Sequence, residues 1–231
     1  MNIDLKPFFE KYETVVNHVD TAFQRVKDRY PDEVRCEPGC ADCCHAMFDL
    51  TLIEAMYLNH QFNSKFPAGA EREQLLEKAD KTDRQTYKIK KAAYKMSRDG
   101  MDDESVIKEI ALKRIRCPLL NDENRCDLYA YRPIACRSYG IPQAIGGKGH
   151  TCGLSGFDPG RAYPSINRDI IHDQLAAISA LIVHAIGSKY SGLTEIMVPV
   201  SMALITDYDD VYLGIKPEKQ SEGNINEREE K

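Results

Sequence analysis

CPLLNDENRCDLYAYRPIACR, residues 117–137, is the stretch on which the fold turns. It holds three cysteines and two prolines and shows no helical or strand periodicity, so no hydrophobic pattern tells it where to go. The aperiodic region runs from Arg116 to Pro164 and carries five prolines, seven glycines and four cysteines. A connection that long without regular structure is uncommon in a compact domain unless something other than packing holds it. Clustered thiols suggest what that is.

Upstream lies a second dense segment, Cys36-Glu-Pro-Gly-Cys40-Ala-Asp-Cys43-Cys44-His45. The spacings are Cys36-x3-Cys40-x2-Cys43-Cys44 and then Cys117-x8-Cys126-x9-Cys136-x15-Cys152. Thiolates are soft ligands suited to zinc or iron–sulfur clusters, and ligand bonds supply folding energy to a loose loop. All eight cysteines are therefore candidate metal ligands. Adjacent Cys43 and Cys44 should point apart and serve different centres, or leave one as a spare. Cys40-Ala-Asp-Cys43 could also be read as a redox dithiol, but no strand precedes it. Isolated cysteines such as Cys117 and Cys152 could simply be buried small residues.

Around this core the pattern is helical. Leu5, Phe8, Tyr12, Val15, Val19, Phe23, Val26 and Tyr30 fall on one face of a helix over 4–30, with Asp4 as N-cap and Pro31 as the stop. Thr51-x-x-Glu54 is a capping box for a second helix ending before Pro67. The charged stretch 70–115 reads as helix broken near Asp99-Gly100. Helix returns at 165–186, ending at Gly187 and expected to be the central buried element, and a short helix begins near Pro199. The tail 216–231 should be disordered. These pieces make one mainly α domain over 1–215, with N-terminal helix 4–30, a loop-rich cysteine core over 35–153, and C-terminal helices over 165–215.

Composition bounds the function. The chain has 231 residues, 42% apolar and 29% charged, with net charge −5 and pI about 5.7. That argues against an overall affinity for nucleic acid. The longest greasy run, Leu175–Ile186, falls short of the roughly 20 residues of a bilayer span. A cytoplasmic protein without a membrane segment is expected, and in a reducing cytosol clustered cysteines bind metal or do redox work rather than form disulfides.

The order Cys36-x3-Cys40-x2-Cys43-Cys44, Cys117-Pro118-Leu119-Leu120, Arg125-Cys126-x-x-Tyr129-x-x-Arg132-Pro133-x-x-Cys136-Arg137 resembles the YkgJ-like, CxxCxxCC cysteine-cluster proteins. The resemblance covers about residues 35 to 153 and implies zinc or iron chelation without a settled reaction; together with the spacing it gives Cys40, Cys43, Cys126 and Cys136 the strongest support as ligands. The first block departs from the pattern by one extra residue between its first two cysteines. A similar arrangement occurs in flagellin lysine N-methylases, an analogy that would make the chain a side-chain modifying enzyme. The leading expectation is an iron–sulfur cluster, with a structural zinc site in an interaction module as the alternative. The partner would be a protein or redox partner.

Other residues complete the candidate site. Arg132 and Arg137 flank Cys136 and could offset thiolate charge or hold a ligand. Tyr129, Tyr131 and Tyr139 could shield the centre. His45 and His150 stand beside cysteines, though lone histidines are more often not ligands. Arg84, Lys88, Lys90, Lys91, Lys95 and Arg98 form a basic run that is best read as a solvated helix face. Gly146-Gly147-Lys148-Gly149 reads as a flexible loop.

Overall fold

The computed structural model describes residues 3–37 and 39–215. The first helix, α1, spans Lys6–Arg29. Leu5 is its N-cap, while Asp4 accepts the Lys6 backbone N–H at 2.9 Å, so the acid caps the helix from one position further out. After the first cysteine segment, the two-residue strand β1 (Asp49–Leu50) leads into α2 (Leu52–Lys65). The capping box is present: the Thr51 backbone N–H donates to Glu54 Oε2 at 3.2 Å. Helix α3 (Ala70–Arg98) and helix α4 (Asp103–Ala111) follow, parted where Gly100 takes φ +96°. Asp102 caps α4 by accepting from Ser105 N–H at 2.9 Å.

The aperiodic region carries little regular structure. A one-turn helix, α5 (Ile134–Ser138), holds Cys136. Strands β2 (Gln143–Ile145) and β3 (Lys148–His150) form a hairpin where a flexible loop was expected. The reason is the turn: Gly146 and Gly147 both take positive φ, +56° and +72°, as a two-residue hairpin turn requires. Strand β4 (Ile166–Asn167) pairs parallel with β2 and runs into α6 (Arg168–Ala185), whose N-cap Asn167 accepts from Asp169 and Ile170 N–H. Gly187, at φ +60°, ends that helix. Strand β5 (Val198–Pro199) pairs antiparallel with β1, and α7 (Val200–Ile205) follows with Pro199 as its N-cap. The mainly α expectation holds; the tail 216–231 lies outside the described residues.

The central helix is α2, not α6. Its residues enter both large apolar clusters. Ile53, Met56 and Tyr57 pack with α1 and α6, while Leu58 and Phe62 pack with α3, α7, Leu119 and Leu128. Helix α6 leaves Ile170 and Leu181 about half exposed. From Leu52 to Asn59 α2 is buried all round, so its polar residues there must be satisfied internally. Asn59 donates to Ala203 O at 2.9 Å, and Glu54 accepts the Ile134 N–H at 3.1 Å. The second bond ties α2 to the N-terminus of α5, two residues before Cys136. Among the described residues no helix is long and apolar enough to cross a membrane.

Candidate metal centre

Four chain segments bring the thiols together. Cys43 and Cys44 sit on a 3-10 turn, Cys43–His45, next to a short backbone pairing: Cys117 N–H donates to Cys44 O at 2.7 Å and Ile115 N–H to His45 O at 3.1 Å. The loop from Cys117 to Cys126 is braced by its own bonds. Leu120 bridges Cys126, Asp127 N–H donates to Leu119 O at 2.8 Å, and Asn121 Oδ1 accepts from Glu123 and Arg125 N–H. Asn124, at φ +56°, makes the reversal. Buried Leu119 and Leu128 anchor the loop to the α2–α3 core. Cys136 is fixed by α5.

Cys43, Cys44, Cys117, Cys126 and Cys136 all line one cavity of about 210 Å³. The 3-10 turn corrects the expectation for the adjacent pair: Cys43 and Cys44 face the same space. The Cys136 and Cys44 thiols both donate to Cys43, which holds Cys43 well below the usual thiol range and pushes Cys136 and Cys44 up. Burial pushes Cys117 up to about 12, and the Leu119 backbone N–H partly opposes it. Cys126 is likewise raised by burial and opposed by Leu128 N–H. Cys117, Cys126 and Cys152 thus each accept a backbone N–H from two residues on, a bond that favours the thiolate. No reading of residue types along the chain exposes this turn geometry.

Cys36, Cys40 and Cys152 form a separate group beside the first, with Arg35, Gly140 and Leu154 around them. Burial, then Cys40 and Cys152, push Cys36 up to about 11. A Cβ at Gly140 would stand 2.0 Å from Cys36 Sγ, so only glycine leaves room for this thiol. Cys152 Sγ is 3.6 Å from Asp42 Oδ2. Of the four thiols with the strongest sequence support, Cys43, Cys126 and Cys136 meet at the large cavity. Cys40 belongs to the neighbouring group. Among the described residues no three His, Cys, Asp or Glu side chains gather tightly enough to hold a single metal ion.

The arginines part ways. Arg132 lines the cavity, stacks 3.6 Å above the Tyr129 ring, and its charge pulls down Cys43, Cys126 and Cys36. Arg137 turns away from the thiols: it ion-pairs Asp20 at 2.6 Å and donates to the carbonyls of Arg132 and Ala130. His45 holds Ala41 O through Nδ1, and His150 is exposed on β3. Tyr129 is mostly exposed, and Tyr139 bonds Asp42. The basic run is the exposed face of α3, except that Lys90 turns inward to Asp49 at 2.6 Å.

Fold and site together define a helical protein with a clustered-thiol, metal-chelating core. Residues 35–153, just over half the chain, match the family model CxxCxxCC, described as a "putative zinc- or iron-chelating domain". The chain belongs to this family. No curated protein and no solved structure matches it. The donor set fits such a centre: soft sulfurs, backbone N–H groups aimed at sulfur, and a guanidinium that offsets thiolate charge.

Proposed function

We propose that the protein is a cytoplasmic metalloprotein that holds an iron–sulfur cluster through four of the five thiols of Cys43, Cys44, Cys117, Cys126 and Cys136. The observation that carries this reading is their number in one place: five thiols line a cavity of about 210 Å³, more sulfur and more room than one ion takes. A single tetrahedral zinc, with Zn–S near 2.3 Å, needs four sulfurs about 3.8 Å apart around one centre. A polynuclear cluster spreads its cysteines over a wider ring. When bound, it supplies one-electron transfer. Leu119 and Leu128 N–H and the Arg132 charge stabilise negative charge on sulfur. A reducing compartment suits eight free cysteines.

Cys36, Cys40 and Cys152 stand outside this ligand set. Serine scanning under anaerobic purification tests the assignment by iron and acid-labile sulfide. Four of the five cavity variants should lose most of both. C36S, C40S and C152S should keep both, because a hydroxyl at those positions removes no ligand. Retention of full iron in two or more of the five cavity variants would contradict the ligand set.

A further inference from the structure

Helix α3 changes character halfway along. From Ala70 to Asp83 acids and bases are interspersed, the mixed pattern of a solvated face. From Arg84 to Arg98 there is no acid. At about 100° per residue, Arg84, Lys88, Lys91, Lys95 and Arg98 fall on one stripe about 21 Å long, with Tyr87 and Tyr94 beside them. All of these side chains are exposed, the two tyrosines by 62% and 69%. Among the described residues only Arg84 of the five cations is ion-paired, to Asp80 at 2.7 Å. Glu104, on neighbouring α4, is already held by Lys108 and Lys148 at 3.1 and 3.2 Å. The other side of α3 carries Thr82 and Thr86, which line the thiol cavity. One helix thickness, about 10 Å, therefore parts the basic face from that cavity.

Like charges three and four residues apart destabilise a helix, so the stripe costs stability that a mixed face would not. Local choices that work against the fold are expected at functional positions, and Tyr and Arg are enriched at protein interfaces. We infer that this face docks an acidic one-electron carrier protein, which passes a single electron across α3 to the metal centre. The inference rests on the iron–sulfur reading: the carrier is oxidised by one electron, the cluster is reduced by one, and no covalent bond is made or broken. Charge complementarity selects the partner. The whole chain is −5, and without these five cations it would be −10, so a carrier with an acidic patch is steered to this stripe and repelled elsewhere. A single stripe also suits the small interfaces of transient electron-transfer encounters. Single-stranded nucleic acid is held in a positively charged groove, whereas this face is the convex side of one helix.

The test uses the metal-loaded protein and, as probe, a flavodoxin reduced to its hydroquinone, with cluster reduction followed by stopped flow. Two net-acidic proteins repel, so their rate should rise with salt unless a basic face does the docking. The expected rate instead falls roughly tenfold between low and physiological salt. Lys91→Gln with Lys95→Gln should lower the low-salt rate roughly three- to tenfold and flatten the salt dependence. Lys6→Gln with Lys11→Gln, which removes the same charge from exposed positions on α1, should leave both unchanged. A rate that rises with salt, or an equal loss in both double variants, would overturn the inference. Lysine acetylation read by mass spectrometry locates the contact without using the cluster: flavodoxin should protect Lys88, Lys91 and Lys95. Protection by an oligothymidylate but not by flavodoxin at physiological salt would give the face to nucleic acid and overturn the inference. Iron is measured on the same samples. Protection by flavodoxin in protein without iron refutes the cluster assignment and leaves the acidic docking face standing. Full iron without protection refutes the docking face and leaves the cluster.

Discussion

Arg132 and Arg137 show how far a single position along a helix changes a residue's role. Both stand near Cys136 in sequence, and Arg137 follows it directly. On a helix, neighbours point about 100° apart. Cys136 therefore faces the cavity while Arg137 faces α1 and Asp20. Sequence adjacency suggested a charge at the centre, and a charge is there, but Arg132 supplies it from the turn before α5. A unit charge about 8 Å from a cluster at an effective dielectric near 20 contributes roughly 2 kcal/mol before screening, on the order of 90 mV for one electron. Arg132→Leu should therefore lower the midpoint potential by some tens of millivolts with the cluster intact, read by a redox titration. Arg137→Leu should leave the potential unchanged and instead lower stability by about 1–3 kcal/mol, read by denaturant unfolding, because the Ala130 and Arg132 carbonyls lose their donor. The opposite assignment of effects would return Arg137 to the centre.

Among elements, those with local signals were legible. The Thr51–Glu54 box, the break at Gly100 and the stop at Gly187 each need only neighbouring residues, and each is where the pattern puts it. Helix α5 was not legible. It is too short to show a period, and its N-terminal N–H is capped by Glu54, eighty positions earlier in the chain. The β2–β3 hairpin was not legible either, because Gly146-Gly147 reads equally as a flexible loop and as a two-residue turn until its positive φ angles are known.

The same Glu54 gives an element-scale prediction. Burial raises its carboxyl above the ordinary 4.5, against the opposing pull of the Thr51 and Ile134 N–H groups and Arg168. The folded state therefore keeps the proton to higher pH than the unfolded chain does. This contribution is complete below pH 4.5 and is lost as pH rises through the folded value. Glu54→Gln should remove that part of the pH dependence, so that the difference in unfolding free energy between variant and wild type changes across this window. A difference that stays flat from pH 4 to 7 would show that Glu54 ionises as freely folded as unfolded.

At the scale of the whole molecule, the mainly α architecture and the cysteine core were readable from periodicity and its absence. The identity of the central helix and the existence of the cavity were not. Buried Glu54 and Asn59 make α2 look less apolar than α6, although their hydrogen bonds are met inside. The cavity wall draws on segments from Cys43 to Ser201, which no local window joins. The thiol loops lie over the α2–α3 core and are held mainly by their own turn bonds. Removing metal should accordingly loosen residues 117–152 while α1, α2 and α6 stay protected, and hydrogen exchange on metal-free protein would report it. Equal protection of residues 117–152 with and without metal would show that the loops order themselves.

Iron and acid-labile sulfide per chain in anaerobically purified protein, wild type beside the five cavity serine variants, test the central claim most directly. The expected result is both iron and sulfide in the wild type and in one cavity variant, with both largely lost from the other four. Zinc without sulfide in the wild type would contradict the account, as would full iron retained in two or more of the five cavity variants.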